Sequence, residues 1–127
     1  MISLLIVEDD FAVRDTLKDF IEFMYDDVIV SEAVDGKSGS AKLDTERFDI
    51  IITDQMMPDM KGSDLIGLYL EKLTKEGSWI YVYSGQMSDE LQKQFQDYPQ
   101  VEIIDKFTNP TFFKEIIDKF KDGQAEA

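Results

Sequence analysis

The hydrophobic positions of the chain follow two alternating rhythms. Short runs rich in Val and Ile, ISLLIV (2–7), VIVSEA (28–33), DIIIT (49–53), WIYVYS (79–84) and VEIID (101–105), read as strands. Between them apolar residues recur at helical spacing. Over 11–24, Val13, Leu17, Phe20, Ile21 and Met24 share one face, and Arg14, Asp15, Lys18, Asp19 and Glu22 take the other. Leu65, Ile66, Tyr69, Leu70 and Leu73 repeat the pattern, as do Phe113, Ile116, Ile117 and Phe120. Adjacent Phe112 and Phe113 are not expected to face the core together, which leaves one for an interaction surface. The stretches 37–46 and 88–97 read as more polar helices.

Strand and helix thus alternate five times, the pattern of an α/β protein with a doubly wound, parallel sheet. Near-continuous apolar strands agree, because helices then cover both faces. Gly36, Gly62 and Gly77 fall at element boundaries, and Asn109-Pro110 reads as a helix cap followed by a first helical residue. The chain of 127 residues is expected to form one domain over 1–121, with 122–127 as a flexible acidic tail.

Composition narrows the chemistry. Thirteen basic residues against twenty-seven acidic ones give a net charge of -14. Such a surface repels nucleic-acid backbones and anionic lipid, so basic partners or a bound cation are expected. The chain has no cysteine and no histidine. This excludes disulfides, thiol catalysis and thiolate metal sites, and removes the commonest general base and zinc ligand. No apolar run reaches membrane-spanning length, and the expected setting is the cytoplasm.

Open parallel sheets bind ligands beyond the C-terminal ends of their strands. Here the first strand runs into Glu8, Asp9 and Asp10, the third into Asp54, the fourth into Ser84-Gly85 and the fifth into Asp105-Lys106. Clustered acids repel, and a divalent cation removes that penalty. Mg2+ suits a few carboxylates, with waters and phosphate oxygens in its other positions. A nearby lysine and hydroxyl would hold an anion. The set reads as a magnesium site beside a phosphoryl site, with one carboxylate as nucleophile. Taken alone, Glu8-Asp9-Asp10 also suits the N-terminus of a helix. Met56, Met57 and Met60 read as packing residues.

In order and spacing, LLIVEDD, IIITDQMMPDMKG, VYSG and IIDKF are similar to the motifs of the response-regulator receiver domain of two-component signalling. The resemblance covers residues 2–121 and implies a flavodoxin-like (βα)5 fold with strand order 2-1-3-4-5. It implies Asp54 as phosphoacceptor, with Asp9, Asp54, the Met56 backbone carbonyl and, through water, Glu8 around Mg2+. Ser84 and Lys106 would contact the phosphoryl group, and Pro58 and Gly62 would shape the loop after the third strand. The donor would be a phosphohistidine on a sensor histidine kinase or phosphotransfer protein, and output would pass to a downstream protein target. A monomer or a phosphorylation-dependent dimer is implied, with slow self-dephosphorylation and no turnover of small molecules.

The chain departs from the family at two positions. Phe107 follows Lys106 where proline is usual, so a trans bond and a differently routed loop are expected. Ile103 stands where the family carries a switch aromatic, with Tyr83 and Phe107 nearby. These departures keep open a degenerate receiver that binds partners without phosphorylation. A phosphohydrolase on a similar sheet would need a second acid where Met56 stands. A nucleotide binder would need a glycine-rich loop after the first strand.

Overall fold

The computed structural model describes residues 1–86, 88–105 and 112–126, with side chains through Gly123. Its elements run β1 (Ile2–Val7), α1 (Phe11–Met24), β2 (Val28–Ala33), α2 (Gly36–Thr45), β3 (Ile50–Asp54), α3 (Gly62–Glu76), β4 (Trp79–Ser84), α4 (Asp89–Gln94), β5 (Val101–Asp105) and α5 (Phe112–Glu126). The strands form one sheet in the order β2-β1-β3-β4-β5, and every pairing is parallel. This is the doubly wound sheet that the alternation predicts. The strand order matches the one that the family resemblance implies.

Side chains alternate across the sheet with a period of two. Ile2, Leu4, Ile6, Ile50, Ile52, Tyr81 and Tyr83 face a core shared with Ile21 of α1 and with Phe112, Phe113, Ile116, Ile117 and Phe120 of α5. Leu5, Val7, Ile51, Ile80 and Val82 face the opposite core, which contains Leu43 of α2 and Leu65, Ile66 and Leu73 of α3. Each fully buried aliphatic side chain of this kind contributes about 1.5–3 kcal/mol. Two such layers hold the strand ends in fixed register, and the site is built on those ends.

Several elements depart from the sequence expectation. Phe112 and Phe113 are both buried, at 6% and 4% exposure. They open α5, where positions about 100° apart still reach the end of one core, and their rings pack with centroids 3.7 Å apart. Neither supplies an interaction surface. Arg14, placed by periodicity on the polar face of α1, is buried at 9%. Its Nη1 donates to the carbonyl of Glu8 at 2.9 Å, and its Nε lies 3.5 Å from Glu32 on β2. Met57 is buried and Met60 packs against the same core, but Met56 is 65% exposed. The backbone of α5 continues as helix to Glu126, past the expected boundary at residue 121. Gly123 sits against the Trp79 ring, where a Cβ would lie 3.7 Å away. The Asn109-Pro110 cap and the Lys106–Phe107 bond lie outside the described residues.

Candidate functional site

β3 carries Asp54 as its last residue. The sequence run DIIIT (49–53) is offset by one residue, since β3 spans Ile50–Asp54. Asp54 has the parity of Ile50 and Ile52, so its side chain leaves the sheet on the α1/α5 side, and it is 4% exposed. The next strand over, β1, ends at Val7 in register with Thr53. Glu8 therefore emerges beside Asp54 on the same face.

Among the described residues, Glu8, Asp9 and Asp54 each offer a carboxylate oxygen, and these oxygens all lie within 4.8 Å of one another. Glu8 and Asp54 are buried, and Asp9 is exposed. Hard oxygen ligands converging at this spacing, with one side open to water, fit Mg2+. The third acid of the run does something else. Asp10 caps α1, accepting the Val13 N–H at 3.1 Å. Helix capping and an acidic cluster thus both occur, on neighbouring residues.

Glu8 is held from several sides. Its Oε1 accepts the Asp10 N–H at 3.1 Å, and its Oε2 accepts a hydrogen bond from the hydroxyl of Tyr83. Tyr83 pairs with Asp54 in the β3–β4 register, so both side chains share one face. Burial, then the charge of Glu8, pushes the Tyr83 phenol far above its ordinary value, so it remains a neutral donor. Composition gives no hint of this contact. It follows from strand order, because β3 lies between the two partners.

The loop after β3 is fixed by three devices. Gly62 opens α3, and its N–H reaches the Gln55 carbonyl at 2.9 Å. A Cβ at Gly62 would collide with the Asp54 carbonyl oxygen. The Gln55 side chain grips Ser63 twice, accepting its N–H at 2.8 Å and donating to its hydroxyl at 2.9 Å. Asp59 accepts the N–H groups of Gly36 at 3.0 Å and Lys37 at 2.8 Å, tying the loop to the start of α2. Met56, the expected source of a carbonyl ligand, lies on this loop in an antiparallel bridge with Lys61.

Ser84 ends β4 and is 3% exposed. Its hydroxyl donates to the Gln86 carbonyl at 2.7 Å and accepts the Gln86 N–H at 3.1 Å. An open cleft of about 520 Å³ is lined by Gln55, Met56, Lys61, Ser84, Gly85 and Gln86, among others. Lys61 brings a cation to this cleft that the sequence motifs did not single out. Lys106, expected to pair with the phosphoryl group, lies outside the described residues.

A five-stranded parallel sheet in the order 2-1-3-4-5, with acids gathered at the ends of β1 and β3, defines a receiver fold. The family model of the response regulator receiver domain matches residues 4–118, and the chain belongs to that family. The CheY-like receiver domain protein of Methanospirillum hungatei has a crystal structure similar to this one. The TM-score is 0.82 at 26% identity, over 100% of this chain and 99% of that one. The transcriptional regulatory protein FlgR of Helicobacter pylori is 43% identical over 63 residues, which are 50% of this chain and 16% of FlgR. The transcriptional regulatory protein CiaR of Streptococcus pneumoniae is 31% identical over 72 residues, 57% of this chain and 31% of CiaR. The chain therefore matches only a minor part of either regulator. Receiver domains of response regulators act in two-component signalling, bind Mg2+ at an acidic pocket, and interact with histidine kinases and downstream effectors. No helix among the described residues is long and apolar enough to cross a membrane.

Proposed function

We propose that this receiver accepts a phosphoryl group on Asp54 from a phosphohistidine of a partner kinase or phosphotransfer protein. The observation that carries this reading is the position of Asp54. It is a buried carboxylate at the end of the central strand, within ligand distance of Glu8 and Asp9. A carboxylate oxygen of Asp54 attacks phosphorus in line. The phosphorus–nitrogen bond breaks, the imidazole leaves and takes up a proton, and an acyl phosphate remains. Mg2+, when bound, neutralises charge on the acids and on the transferring group.

Asp9, Asp54 and the Met56 carbonyl would hold the ion, with Glu8 acting through water. Lys106 would pair with the phosphoryl oxygens. Ser84 would donate to them once its hydroxyl turns from the Gln86 carbonyl. The exposed Met56 side chain offers no group to orient an attacking water, so hydrolysis of the acyl phosphate would be slow. The chain would signal through protein contacts and turn over no small molecule.

The test is intact-protein mass spectrometry after incubation with a small-molecule phosphodonor and Mg2+. One added phosphoryl group is expected on the wild type, and none on Asp54→Asn or without Mg2+. A wild type that takes up neither phosphoryl group nor Mg2+ would overturn the reading. That result would favour a receiver that binds partners without phosphorylation, the reading that Ile103 and Phe107 keep open.

A further inference from the structure

Tyr83 touches both the acidic cluster and the first turn of α5. Its hydroxyl donates to Glu8 inside the acidic cluster. Its ring lies against Phe112, the first residue of α5, with centroids 6.0 Å apart and planes at 48°. Phe112 in turn packs on Phe113. The side chain is 1% exposed. A buried phenol needs a partner for its O–H, and phenylalanine would fill the same space without that requirement. The hydroxyl is accounted for by the carboxylate it meets.

We propose that Tyr83 is a positioning residue that holds Glu8 for the cation and passes the occupancy of the acidic cluster to the first turn of α5 through Phe112. The proposal rests on the Mg2+ reading above. A cation arriving at the cluster draws the Glu8 carboxylate toward it. The Tyr83 hydroxyl is bound to that carboxylate, so the phenol follows. Its ring sits in a close-packed core, where a displacement cannot be absorbed by empty space. The neighbour that receives it is Phe112. Because α5 packs on the sheet through the same cluster that contains Tyr83, a shift of the Phe112 ring alters how the start of that helix seats. Ligand occupancy then biases the position of a helix outside the acidic cluster, which is the physical content of coupling between sites.

The experiment is a titration of the full chain with Mg2+ alone, read by calorimetry and by amide resonances in nuclear magnetic resonance. Wild type, Tyr83→Phe and Phe112→Leu are compared, each first checked for cooperative thermal unfolding. In the wild type, Mg2+ is expected to shift amides beside the cluster and amides over Phe112–Ile116. Tyr83→Phe keeps the ring and removes the hydroxyl. Its Mg2+ affinity is expected to fall about tenfold, the lower end for losing a hydrogen bond that supports a metal site from outside its ligands. At saturation its amides near Asp9 still shift, and those at the start of α5 shift less than half as far. Phe112→Leu keeps the Tyr83–Glu8 bond. Its affinity is expected to stay within about twofold while its α5 shifts also shrink. Undiminished affinity and undiminished α5 shifts in Tyr83→Phe would overturn the proposal. A wild type that binds no Mg2+ would instead overturn the reading beneath it.

Discussion

Gly62 shows how one missing side chain shapes the site. It begins α3 directly under β3, and any Cβ there would run into the carbonyl oxygen of Asp54, with the Thr53 hydroxyl 3.1 Å away. The first obstacle is backbone, which cannot swing aside as a flexible side chain can. Gly62→Ala is expected to lower stability by about 1–3 kcal/mol, the usual penalty of overpacking. Urea unfolding would measure it, and an unchanged midpoint would show that α3 shifts freely. Glu8, Asp9 and Asp10 carry a second lesson. Three consecutive acids look alike in the sequence, yet one is buried and held by hydrogen bonds, one faces water, and one caps a helix.

At the scale of elements, the start of α2 depends on a distant loop. The first N–H groups of a helix lack partners within it. Here Asp35 accepts the Ser38 N–H at 2.8 Å, while Asp59 supplies both oxygens to Gly36 and Lys37. The N–H groups of Gly36, then Lys37, hold the Asp59 carboxyl below its ordinary value. A carboxylate with a lowered folded-state pKa contributes fully above its unfolded pKa. The contribution is lost as pH falls through the lower folded value. Asp59→Asn should therefore be less stable than the wild type near neutrality. The gap should narrow as the pH falls through and below the ordinary carboxylate range. Thermal unfolding across that range would show it, and parallel curves would exclude a titrating role for Asp59. The same contact ties the loop that follows Asp54 to a second helix, so the setting of the site is shared between α2 and α3.

The whole molecule carries a net charge of -14, and three of its acids converge at the cluster. Self-repulsion of that size opposes the compact state and is screened by salt. Raising NaCl from about 10 mM to about 200 mM, a range over which the screening length falls severalfold, should raise the midpoint of thermal unfolding. At equal ionic strength, Mg2+ should raise it further, because a ligand that binds only the folded chain stabilises it. The gain is about 2.7 kcal/mol at a hundred times Kd. The further gain should vanish in Asp9→Ala while the salt effect persists. Equal gains from Mg2+ in both proteins would mean that screening alone is at work.

Much of this was legible in the linear chain. Five β-branched runs and the helical spacings between them set the number, type and order of the elements, because periodicity follows from local backbone geometry. The acids and the serine at the strand ends were also readable, because strand ends are local features. What the linear chain left open depends on neighbours brought in by the fold. Burial of Arg14 and of both Phe112 and Phe113, and the exposure of Met56, were set by where helix and loop meet the sheet. Strand order placed β3 between Glu8 and Tyr83, so a hydrogen bond across 75 positions of sequence appeared only when the sheet was assembled. Sequence determined which groups could do chemistry, since residue type fixes charge and hydrogen-bonding capacity. Tertiary structure decided which of them meet, since distance between side chains is a property of packing.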